Sequence, residues 1–99
     1  MNEHLQTTIV RFNDSGAKIY STVFKQFSAS VRNINRNRDE NVFRMQAAKF
    51  AETLKYRLVE LANKILDSSD PAIHEQLQAS LSTKLNYYLE QFKNRCRAI

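Results

Sequence analysis

Apolar residues recur every three or four positions along nearly the whole chain, and two polar runs interrupt the rhythm. In the middle segment Phe43, Ala47, Phe50, Leu54, Leu58, Leu61 and Ile65 keep this spacing, which lines them up along one face of an α-helix. The residues between them are mostly Glu, Lys, Gln, Arg, Leu and Ala, all good helix formers. The spacing predicts a helix over about 39–67. The last segment repeats the pattern through Ile73, Leu77, Leu81, Leu85, Tyr88 or Leu89, and Phe92, predicting a helix over about 71–97. The first segment carries it through Leu5, Ile9, Phe12, Gly16, Ile19, Val23, Phe27, Val31 and Ile34, predicting a helix over about 2–34.

The interruptions have their own chemistry. The first runs from Asn33 to Asn41 and is rich in Asn and Asp, whose side chains compete for backbone hydrogen bonds and favour turns and caps. Asn37 with Glu40 three residues on has the spacing of a capping box. The second is Asp67-Ser68-Ser69-Asp70-Pro71. Proline suits the first helical position, where its missing N–H costs nothing, and Asp70 before it suits the N-cap.

One local signal opposes the first helix. Asn13-Asp14-Ser15-Gly16 reads as a turn, and the β-branched Thr7-Thr8-Ile9-Val10 reads as a short strand. The alternative to one continuous helix is therefore a break near Gly16, with the helix starting at Ser15. The apolar rhythm passes through Gly16 without a phase shift, which favours continuity. Gly16 then faces inward, at a cost of about 1 kcal/mol relative to Ala, and lets a neighbouring helix approach closely.

Three helices of this length are ~40–48 Å long, and short links force neighbours to run antiparallel. The expected fold is all-α: an elongated up-down-up antiparallel three-helix bundle spanning 1–99 as one domain. Val10, Tyr20 and Phe24 fall off the main stripe of the first helix. They mark a candidate protein interface for a second copy or another protein, unless they merely widen the core-facing stripe.

Composition narrows the function classes. The chain has 42% hydrophobic and 25% charged residues, a globular balance that argues against disorder. Its single Cys excludes an internal disulfide framework, and its single Gly excludes a glycine-rich phosphate loop. No run approaches the ~20 apolar residues of a membrane span. Met1-Asn2-Glu3-His4 has neither the basic start nor the apolar block of a secretory signal, so the expected compartment is the cytoplasm. Cys96-Arg97-Ala98-Ile99 has the outline of a prenylation box, but Arg97 and Ile99 make it a poor match.

No constellation for catalysis emerges. Cys96 and His74 are expected at opposite ends of the third helix, ~33 Å apart at 1.5 Å per residue, and His4 belongs with His74. No Cys–His dyad follows. Asp67, Asp70, His74 and His4 share one pole, where capping acids in a solvated loop are the plainer reading than a metal site. No cofactor, metal or small-molecule substrate is indicated.

Charge is the feature that gains from folding. Lys and Arg total 15 against 10 Asp and Glu, a net charge of +5. Arg32, Arg36, Arg38 and Arg44 surround the first link, and Lys93, Arg95 and Arg97 close the third helix. An up-down-up bundle brings these seven to one pole, with Asp39 and Glu40 opposing them. Glu3, Asp67, Asp70 and Glu75 fall at the other pole, with no basic residue expected nearby. Cations complement helix C-termini, which accounts for Arg32, Lys93, Arg95 and Arg97 but not for Arg36, Arg38 and Arg44. The expectation is a non-catalytic bundle acting through protein–protein interaction, with itself or another protein. The alternative is a nucleic-acid accessory protein using the basic pole on phosphates, with Tyr87 and Tyr88 available to stack.

Overall fold

The computed structural model describes residues 3–98, apart from the side chains of Glu3 and His4. It contains three long helices: α1 (Glu3–Val31), α2 (Glu40–Asp67) and α3 (His74–Arg97), with one 3-10 turn, Pro71–Ile73, leading into α3. All three pack against one another in the expected up-down-up order. The rod measures 53 × 19 × 17 Å.

α1 runs through Gly16 without a break, so the continuous rhythm prevails over the local turn signal. Gly16 is buried where all three helices meet. A Cβ there would lie 3.1 Å from Tyr88 Cε2 on α3 and 3.6 Å from Leu58 Cδ2 on α2. The Tyr88 hydroxyl donates to the Asn13 carbonyl at 3.1 Å, pinning α3 to α1 one turn before the glycine.

The first link begins earlier than expected. α1 stops at Val31, and Ile34 sits in a turn in which its N–H donates to the Val31 carbonyl at 3.0 Å. The Asn37–Glu40 capping box does not form. Asn35 Oδ1 instead accepts the Asn37 N–H at 3.0 Å, an Asx turn, and Glu40 Oε1 turns to Arg44. The N-cap of α2 is Asp39, without a side-chain cap bond. At the second link Asp70 Oδ1 accepts the Ala72 N–H at 3.0 Å, with Pro71 opening the 3-10 turn.

Phe12, Val23, Phe27 and Val31 of α1, Phe43, Leu54, Leu58 and Ile65 of α2, and Leu77, Leu81 and Phe92 of α3 form one buried core with Ile73. The core thickens toward the end holding the first link. There Phe27 packs against Phe24, Phe43, Phe50 and Phe92, mostly edge to face, at centroid distances of 5.5–6.1 Å.

Two of the three off-stripe residues of α1 face the core, contrary to the expectation of an interface strip. Phe24 is buried and Tyr20 half-buried, and neither belongs to an exposed strip. Tyr20 packs against Tyr88 and Phe92, and Phe24 against Phe92. A helix in a three-helix bundle faces two neighbours at once, so its apolar arc must be wide enough for both. The second stripe is the α3-facing half of the core. Val10 alone of the three is exposed, at 55%.

Candidate functional site: a basic-rimmed groove between α2 and α3

The basic pole assembles as the topology requires. Arg36 Nη1 donates to the Arg97 carbonyl at 2.9 Å, so the first link lies directly against the end of α3. The seven cations are not equivalent. The Arg36 guanidinium stands 4.6 Å from the Phe43 ring centre, and that of Arg95 lies 3.9 Å from Phe24 and 6.0 Å from Tyr20. Both are tied to aromatic faces of the core. Arg44 pairs with Glu40 at 3.0 Å. Arg32, Arg38, Lys93 and Arg97 are exposed. The opposite pole is less one-sided than expected, because Lys64 in the last turn of α2 accompanies Asp67. Glu3 and His4, read at that pole, have side chains outside the described residues.

Between α2 and α3 the basic pole opens into a groove of about 660 Å³. Its floor is apolar: Phe43, Ala47, Ala48 and Ala51 from α2, and Phe92 and Cys96 from α3. Its rim carries Arg36, Arg44, Lys93 and Arg97, with Glu40 the one acid among the lining residues. The groove follows from side-chain size. α2 turns three alanines toward α3 over 47–51, where larger residues would close the gap, while Phe43 and Phe92 floor it from either side. Apolar surface framed by guanidinium and ammonium groups suits a ligand that is apolar in the middle and anionic at its edges.

The rim is legible in the sequence, and Phe43, Ala47 and Phe92 stand there as core positions, but the gap between them is not legible. In the sequence Ala47 is one more core position, and the apolar rhythm does not mark Ala48 or Ala51. The available signal was a cluster of small residues in a helix whose other core positions are large. By sequence position Cys96 closes the third helix. It is buried at 3% exposure, one turn beyond Phe92 on the same face of α3. Burial pushes its thiol up to about 11, against a smaller downward pull from Arg95. The thiol is therefore neutral at ordinary pH and lies at the other end of α3 from His74.

Among the described residues no three His, Cys, Asp or Glu side chains gather in a way that could hold a metal ion. Nor is any described helix long and apolar enough to cross a membrane. The chain is an all-α three-helix bundle with a cation-rimmed apolar groove at one end. No protein-family model matches it, and neither a curated protein nor a solved structure does.

Proposed function

We propose that this protein is a non-catalytic binding module of the cytoplasm that engages a protein partner through the basic pole. The groove between α2 and α3 carries this reading. An apolar side chain of the partner packs over Ala47, Ala48 and Ala51, with Phe43 and Phe92 buried behind them, while carboxylates flanking it meet Arg44, Lys93 and Arg97. Charges at the rim steer the encounter and set the orientation, and the apolar floor supplies most of the affinity. The same floor argues against the nucleic-acid alternative, because a phosphate backbone gains nothing from alanine and phenylalanine.

The test is affinity capture from the native host with the unaltered chain and with Lys93→Glu/Arg97→Glu. A protein retained by the first and released from the second supports the groove reading. Equal retention by both overturns it. So does salt-sensitive retardation of DNA or RNA at 50 mM salt that disappears in Arg36→Ala/Arg38→Ala/Arg44→Ala, which moves the function to nucleic acid.

A further inference from the structure

α2 bears a second patterned face, directly opposite the core. Val42, Met45, Tyr56 and Val59 are exposed there, at 46%, 71%, 66% and 38%. With the exposed Lys49 and Glu52 they are spaced alternately three and four apart, a heptad seam. At 3.6 residues per turn the seam lies roughly 180° from the buried positions Phe43, Leu54 and Leu58. Val42, Met45, Lys49, Glu52 and Tyr56 lie open, and Val59, the least exposed of the seam's apolar residues, borders a cleft between α2 and α3.

The order of residues along this seam is self-complementary. About a point midway between residues 50 and 51, Val42 mirrors Val59, Met45 mirrors Tyr56, and Lys49 mirrors Glu52. A twofold axis through that point pairs each residue of one chain with its mirror position on a second copy. Valine meets valine at each end, methionine sulfur meets the tyrosine ring inside them, and a lysine meets a glutamate twice at the centre. A parallel pairing of the same faces instead sets Lys49 beside Lys49 and Glu52 beside Glu52. Charge therefore selects the antiparallel arrangement over the parallel one.

We propose that this face is a homodimer interface: two copies pack α2 against α2, antiparallel, in the register that joins Lys49 of one chain to Glu52 of the other. The occupant is a second copy because the order of apolar and charged residues along the face is complementary to itself. The groove at the basic pole lies on the α3 side of α2 and borders the seam at Ala48. This inference stands independently of the groove reading.

The experiment is sedimentation equilibrium of the full chain over a wide concentration range. The expected result is a mass rising from 11.6 kDa toward twice that value. Lys49→Glu and Glu52→Lys each turn both central contacts into repulsions and weaken the dimer by about tenfold or more. Combining them restores opposite charges across the axis and returns the affinity to near its original value. Tyr56→Glu abolishes the dimer. All these residues are exposed, so unchanged helical circular dichroism verifies that the variants are folded. A single-chain mass at every concentration overturns the proposal. A dimer indifferent to the single charge reversals, or one that the combined reversal fails to restore, does so equally.

Discussion

The guanidinium carbon of Arg95 lies 3.9 Å from the centre of the Phe24 ring. This contact joins two features that looked separate in the chain, a surplus cation at the end of α3 and a surplus aromatic on α1. The ring is buried against α3, and the arginine lies over it as a lid. Neither residue is spare surface.

Arg95→Ala is accordingly expected to cost about 1 kcal/mol of stability in denaturant unfolding, from lost cation–π attraction and lost packing of the arginine stem. Arg95→Lys keeps the charge but not the flat guanidinium, and loses part of that amount. Lys93→Ala, on the exposed groove rim, stays within about 0.5 kcal/mol. Equal losses at 93 and 95 would show that Arg95 contributes only as surface charge.

Gly16→Ala sets two effects against each other. Alanine gains up to about 1 kcal/mol of helix propensity, whereas overpacking costs about 1–3 kcal/mol. The added methyl meets the Tyr88 ring at 3.1 Å, and the ring is held by its bond to Asn13 and its contact with Tyr20. Burial, with Asp14 and Tyr87 adding to it, pushes the Tyr88 phenol up, so it remains a protonated donor in that bond. The expected outcome is net destabilisation. In a Tyr88→Leu background, where the ring is gone, the same substitution stabilises. A gain in both backgrounds would refute the close contact.

The two acids at the helix starts differ. Asp70 caps the Ala72 N–H, so Asp70→Ala is expected to cost about 1 kcal/mol. Asp39 makes no side-chain cap bond, and Asp39→Ala is expected to stay within about 0.5 kcal/mol. Thermal or denaturant unfolding of the two variants side by side measures the contrast.

The Cys96 thiol ionises near 11 when folded, against an ordinary value of 9.0. The unfolded chain therefore loses this proton first as pH rises. The stability linked to the thiol is complete below about pH 9 and declines toward pH 11. Cys96→Val removes that portion of the alkaline decline, which stability curves of the two proteins at pH 8 and pH 10.5 will compare. Alkylation at pH 8 is expected to be slow in the native protein and fast in denaturant.

Much of the architecture was legible in the chain. Helix formation depends on residues three and four apart, so the apolar rhythm named the three helices, their order and most of the core. Asp70-Pro71 marked the start of the last helical segment because capping is local. The early end of α1 and the Asn35 turn were less legible, since several asparagines competed for the same few N–H groups. The basic pole could be inferred from topology, because short links leave one way to return the end of α3 to the first link.

Three things were decided only by tertiary packing. Whether Tyr20 and Phe24 faced water or α3 depended on a third helix lying beside α1, which periodicity within α1 cannot report. Gly16 could be a break or a contact, and it became a contact because Tyr88 and Leu58 arrive there from distant parts of the chain. The groove exists because the alanines of α2 face the end of α3, so side-chain size acts across two helices. The sequence by itself determined what is periodic within a segment. Depth, lids and clefts arise between segments, and those only the packed structure decided.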